Sequence, residues 1–186
     1  MLDSTTTIVN GIDLKALDET VSAINQDASC GNVQFRVKTE WLGQTRSEST
    51  VDGYRISGQE VPRSFKIVAD EPCELLGTDN APNPQELLMS AVNACMMVGY
   101  VAQASVRGIR LDSCTIETRG ELDLRGFLGL DEAVPPGYRR IDYVVSLKGD
   151  GTREQYEDIH RAVMATSPNY FNMARPIEMA GTLQAD

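Results

Sequence analysis

Apolar and polar positions alternate along this chain with two periods, and the switches between them mark its elements. Residues 12 to 27 carry Leu14, Leu17, Val21 and Ile24 at spacings of three and four, the stripe of an amphipathic helix. From Val33 the period drops to two. Val33, Phe35 and Val37 alternate with Gln34, Arg36 and Lys38 towards Trp41, which predicts a half-buried strand. A second strand follows Gly43, Asp52-Gly53 reads as a hairpin turn, and Ser64 to Ala69 gives a third strand before a loop from Gly77 to Asn83.

A long helix opens next, with Asn83 as N-cap, Pro84 at the first helical position and Glu86 at the third, and it closes near Gly108. Two strands follow: Cys114, Ile116 and Thr118 alternate with polar residues, as do Ile141, Tyr143, Val145 and Leu147. Between them Phe127 to Gly137, with Pro135-Pro136-Gly137, reads as an irregular loop. A second helix begins at Thr152, capped through Gln155, shows Tyr156, Ile159 and Val163 on one face, and ends before Pro168. Pro176 to Gln184, alternating Ile177, Met179 and Gly181 towards Leu183, predicts a last strand. Strands separated by two helices without βαβ alternation indicate an α+β fold. The first 32 residues read as a helical extension and residues 33–186 as one domain.

The composition suits a soluble globular protein: 41% hydrophobic and 24% charged residues. A net charge of −10, with scattered basic residues, argues against nucleic acid or an anionic membrane as partner. The 20 residues from Leu87 to Val106 carry no charge and match a membrane span in length, but Ser90, Asn93, Gln103 and Ser105 favour a helix buried inside a fold or dimer. The first 20 residues lack a secretory pattern, so the expected compartment is the cytoplasm, with reduced cysteines. Cys30, Cys73, Cys95 and Cys114 form no Cys-x-x-Cys pair and His160 is the single histidine, so no metal site and no cofactor is expected.

Cys95 sits in the middle of the uncharged helix, held on a rigid element and expected to be buried. Burial alone leaves a thiol inert, and reactivity needs a nearby positive charge. The order of elements, Asn83-Pro84-Gln85-Glu86-Leu87-Leu88 followed by Asn93-Ala94-Cys95, and Ser167-Pro168 at the end of the second helix together resemble the family of osmotically inducible protein C (OsmC) and the organic hydroperoxide resistance proteins (Ohr). Asp123 to Leu130 also resembles a subset of that family, and the likeness covers Val33 to the C-terminus.

The resemblance implies antiparallel sheets wrapped around long central helices in an intertwined homodimer. It also implies thiol-dependent reduction of organic hydroperoxides, in which a thiolate becomes a sulfenic acid and a second cysteine captures it. Carried over residue by residue, Cys95 matches the attacking thiol, while the capturing cysteine is replaced by Ser167. The family's glutamate, ten residues before the thiol, is here Gln85, with Glu86 one residue further on. On a helix Gln85 lies about 80° from Cys95 and Glu86 about 180°, so Glu86 is expected to cap the helix. A neutral Gln85 can bond a guanidinium without supplying its counter-charge. The activating arginine is matched most nearly by Arg46 in Gly43-Gln44-Thr45-Arg46.

Two functions follow. One is a single-cysteine thiol peroxidase acting on organic hydroperoxides, with Cys95 as nucleophile and an external thiol as reductant. The other is a non-catalytic dimer that binds a small hydrophobic ligand or partner through an apolar pocket. Ser167 and Gln85 favour the second, and Cys95 in its context favours the first. Cys73, in the loop before the helix, is a further position for a resolving thiol, and His160 is read as a half-exposed structural residue.

Overall fold

A computed structural model describes residues 8–185 of the chain. Its α+β architecture divides into two compact units between Ser90 and Ala91. In the first, β1 (Ile8–Val9) and β2 (Ile12–Asp13) form a hairpin across Asn10-Gly11, whose φ values of 50° and 80° are those of a tight type I′ turn. Asp13 then caps α1 (Leu14–Gln26), accepting from the Lys15 and Ala16 amides at 2.9 and 3.2 Å. The stripe seen in the sequence is this helix; the hairpin before it is too short to show a period.

Strands β3 (Val33–Phe35), β4 (Lys38–Trp41), β5 (Ser47–Ile56) and β6 (Gln59–Ala69) make one antiparallel sheet. β3 and β4 pair with opposite ends of one edge of β5, and β6 pairs along its other edge. The alternating run from Val33 to Trp41 is therefore two strands rather than one. Asp52-Gly53 is not the hairpin turn that the sequence suggests: it lies inside β5, at a shift of register between Val51 and Gly53. A Cβ at Gly53 would stand 2.8 Å from the Val61 carbonyl oxygen, so glycine there serves a close approach of two backbones. The turn is Ser57-Gly58, with φ of 49° and 77°.

Beyond β6 the chain is tied down by a carboxylate without accessible surface, Asp70. It accepts from the Thr45 hydroxyl at 2.8 Å, the Thr78 hydroxyl at 2.5 Å, and the Glu71, Thr78 and Asn80 amides at 2.9, 3.1 and 3.3 Å. The loop from 70 to 80 thus folds around one charge, and Thr45 brings the β4–β5 turn to the same point. The loop leads into α2 (Pro84–Val106), where Asn83 Oδ1 accepts the Gln85 amide at 2.7 Å and Glu86 Oε2 accepts the Asn83 amide at 2.8 Å. Glu86 completes a capping box.

The second unit holds most of α2, then β7 (Leu111–Gly120), α3 (Leu124–Phe127), β8 (Ile141–Gly149), α4 (Arg153–Thr166) and α5 (Pro168–Ala174). β7 and β8 pair antiparallel. Met96, Tyr100 and Ala104, four residues apart on α2, meet Ile159 and Val163 of α4 and Ile109 in the buried core. α4 carries the expected capping box of Thr152 and Gln155. It ends at Thr166, and a new helix starts at once because Ser167 accepts the Tyr170 amide and Pro168 supplies the first helical residue.

The strand expected from Pro176 to Gln184 does not form, and Met179 and Leu183 there are each 89% exposed. Alternation gives a strand a face, but a strand also needs an edge to pair with, and none among the described residues receives it. α2 is long and apolar enough to cross a membrane by length and composition, and 17% of its most apolar window is buried within the chain. Only one face of this helix is packed.

The carboxyl of Asp70 is held below its ordinary value of 3.8, first by the Thr78 hydroxyl and then by the other donors, against the opposing effect of burial. A depressed folded-state value stabilises the protein above the unfolded value, and that stability is lost as pH falls through the folded one. Asp70→Asn is expected to lower the melting temperature at pH 7 by roughly 5 °C or more. The gap from the natural protein should hold above about pH 5 and narrow below about pH 4, as read by calorimetry across that range.

Candidate active site around Cys95

Cys95 lies on the same row of α2 as Gly99, one turn away. At Gly99 the helix comes close to α4: a Cβ there would stand 3.3 Å from both methyl groups of Val163. One turn further along in opposite directions on the two helices, Cys95 faces Ser167. The Ser167 hydroxyl donates to Cys95 Sγ at 3.5 Å. Helical spacing and an antiparallel crossing with glycine at its tightest point therefore bring together two residues 72 apart in sequence.

The surroundings hold this segment from two sides. Asn93 Oδ1 accepts from the Thr118 hydroxyl at 2.5 Å and its amide donates to the Ile116 carbonyl at 3.4 Å, fastening α2 to β7. Asn169 Nδ2 donates at 2.9 Å to the Ala91 carbonyl, fastening α5 to the same turn. Ala91 is the residue whose carbonyl, by helical register, takes the Cys95 amide. Sequence alone gives neither asparagine a role, although Asn93 stands in the Asn93-Ala94-Cys95 motif. Cys95 itself is half-buried, where its place in the sequence suggests full burial, because its row borders the buried stripe of Met96 and Tyr100 instead of belonging to it.

Of the other thiols, Cys114 belongs to the core margin, and burial pushes it up, away from the thiolate. Cys73 is exposed in a short 3-10 turn, and all four cysteines are free. His160 accepts or donates a 2.5 Å hydrogen bond through Nδ1 to the hydroxyl of buried Tyr100 and stacks on that ring at 6.0 Å. Burial raises the Tyr100 phenol far above its ordinary value, so it stays protonated, and it donates to the imidazole when that nitrogen is unprotonated. Tyr143 packs tilted against His160 and edge-on against Tyr170, each at 6.2 Å. An open groove of about 880 Å³, lined by Tyr100, Tyr143, Tyr156 and His160 among others, runs over this aromatic cluster.

Gln85, Glu86 and Arg46 belong to the first unit and Cys95 and Ser167 to the second. Gln85 is half-buried in the first turn of α2 and Glu86 is committed to the cap. Arg46 stands at the end of the β4–β5 turn, next to Thr45 with its bond to Asp70, and its buried Nε has no hydrogen-bond partner. Among the described residues no cluster of side chains is arranged to hold a metal ion.

An α+β fold that sets a thiol at the middle of a long apolar helix, against the junction of two later helices, defines a known class of small proteins. Residues 77–180 match the family model of OsmC-like proteins, and as this span exceeds half of the chain, the chain belongs to that family. Among solved structures, the chain is similar to an osmotic-stress-induced and detoxification-response protein from Psychrobacter arcticus. The TM-score is 0.55 and the identity 16%, covering 72% of this chain and 84% of that one. An OsmC-like protein from Mycoplasma pneumoniae gives a TM-score of 0.57 at 13% identity, covering 76% and 87%. An OsmC-like protein from Vibrio cholerae gives 0.50 at 16%, covering 74% and 91%. At such identities the likeness is one of fold. No curated protein matches the chain.

The 3.5 Å approach of Ser167 Oγ to Cys95 Sγ is short enough for a sulfur at position 167 to reach its partner after small rotations. Ser167→Cys is expected to form a disulfide between Cys95 and the introduced thiol on addition of one equivalent of cumene hydroperoxide. Intact-mass analysis should show loss of two hydrogens, and peptide mapping should place the bond; a sulfenic acid persisting at Cys95 would show that the two positions do not meet.

Proposed function

We propose that this OsmC-like protein is a thiol-dependent peroxidase for organic hydroperoxides that works with one cysteine. The observation that supports this is the hydrogen-bond contact between Cys95 and Ser167, the two residues that the resemblance matches to the family's two cysteines. The Cys95 thiolate attacks the terminal oxygen of the hydroperoxide, the O–O bond breaks, and an alcohol leaves after taking a proton. Cys95 is left as a sulfenic acid. A serine cannot capture it by forming a disulfide, so an external thiol does: sulfur bonds to sulfur, water leaves, and a second thiol releases the mixed disulfide and restores Cys95. The reduced thiols of the cytoplasm suit this cycle.

In this reading the family resemblance, and it alone, assigns to Arg46 the positive charge that favours a thiolate and to Gln85 the task of orienting that arginine without neutralising it. The working form is a homodimer. Support comes from the apolar surface that a single chain leaves open: Trp41 is 75% exposed, Phe35 71%, Val98 on α2 69% and Phe127 70%. Neither nucleic acid nor membrane is a partner in this reading, in keeping with the net charge of −10.

The second reading is a dimer that binds a small hydrophobic molecule without chemistry. The groove over Tyr100, Tyr143 and His160 favours it, as do the neutral Gln85 and Ser167.

Consumption of cumene hydroperoxide and hydrogen peroxide, with dithiothreitol or reduced lipoamide as donor, separates the two. The natural protein is expected to turn over the organic peroxide faster than hydrogen peroxide, and Cys95→Ser to lose turnover while keeping its oligomeric state by size-exclusion chromatography. Equal, negligible consumption by both proteins would leave only the binding reading.

A further inference from the structure

We propose that the Ser167 hydroxyl is the standing hydrogen-bond donor to the reacting sulfur of Cys95, so that the position left without a resolving thiol has a use in the first chemical step. This rests on the reading of Cys95 as nucleophile. Ser167 is 5% exposed, so water scarcely competes for its groups. A hydroxyl has one proton to give and two lone pairs to receive. Its oxygen receives the Tyr170 amide at 3.4 Å, at the start of α5, and the Ser167 amide itself donates to the Val163 carbonyl at 2.8 Å. The hydroxyl proton is what remains, and Cys95 Sγ, 3.5 Å from the oxygen, is the acceptor within its reach.

Such a donor acts differently on the two forms of the sulfur. A neutral thiol is a weak acceptor, whereas a thiolate accepts a charge-assisted bond of about twice the usual strength. The contact is therefore stronger to an ionised sulfur than to a neutral one, and it meets the charged form that attacks a peroxide with a donor already in place. The geometry requires no rearrangement. The register of α2 on α4 and the start of α5 fix both partners before any substrate arrives. Ser167 is thus a hydrogen-bond donor to the nucleophile as well as a helix cap.

The test measures alkylation of Cys95 by iodoacetamide in the full-length protein, resolved by peptide mass spectrometry, with exposed Cys73 as internal standard. Ser167→Ala removes the donor but also a helix cap. Ser167→Gly removes the donor at a cap cost of only a few tenths of a kcal/mol, and Ser167→Thr keeps the hydroxyl. Relative to Cys73, both hydroxyl-free variants are expected to alkylate Cys95 about tenfold more slowly than the natural protein at pH 7, with Thr close to natural. The difference should vanish near pH 10, well above the ordinary range of a thiol. Hydroxyl-free variants that match the natural protein at pH 7, or a deficit that persists at pH 10, would overturn the proposal. Hydroperoxide consumption measured alongside keeps the two readings apart: the expected alkylation pattern without turnover would remove the peroxidase function and leave the donor in place.

Discussion

The register in which α2 lies against α4 decides what the sulfur of Cys95 meets. Gly99 lets the helices approach until Val163 fills the space its missing side chain leaves. From that point a step of one turn on each helix, in opposite directions, brings position 95 to position 167. The core residues on the neighbouring rows, Met96 and Tyr100 against Ile159 and Val163, hold the crossing in place. Burial of each is worth about 1.5–3 kcal/mol, whereas a single hydroxyl–sulfur contact is far weaker. The packing therefore sets the chemistry, and the chemistry contributes little to the packing.

A different kind of constraint governs the approach to α2. There the organising group is the charge on Asp70, and the loop arranges backbone amides and two threonine hydroxyls around it. Because Thr45 is one of those donors, the turn that carries Arg46 and the loop that carries the helix cap share one anchor. Two side chains that the family resemblance assigns to one task, Arg46 and Gln85, thus stand on elements that a single buried carboxylate holds.

Much of this is legible in the sequence, for reasons that differ from residue to residue. Asn83, Pro84 and Glu86 specify a helix start through local hydrogen bonds, and Thr152 with Gln155 does the same, so both helices begin where their residues require. The stripe of α1 is equally plain. Asp52-Gly53 misleads because glycine satisfies a close backbone approach within a strand as readily as a turn, and the carbonyl it must clear, that of Val61, belongs to a neighbouring strand that no rule about dipeptides sees. The C-terminal alternation misleads because pairing is a property of two strands. Asp70 gives no signal at all: an aspartate after a strand looks like any surface residue until donors from Thr45, Glu71, Thr78 and Asn80 converge on it. Ser167 stands out by family position alone, and its contact with Cys95 depends on the crossing of two helices that periodicity does not orient.

The residues of the buried cluster run from Met96 to Val163, while the first unit buries one apolar side chain, Val9, among those described. Seen from the ribosome, this is an order of events. The sheet of β3 to β6, with Phe35, Trp41 and Phe65 open to water, is synthesised before the residues of the cluster exist, and at usual elongation rates the interval from the end of β6 to Val163 lasts roughly 5–20 s. During that time the nascent chain has strand edges and aromatic surface but no interior. Lys38 and Glu40 on β4 and Lys66 on β6 place charges on the outer strands of that sheet, where charge opposes pairing with a neighbouring chain.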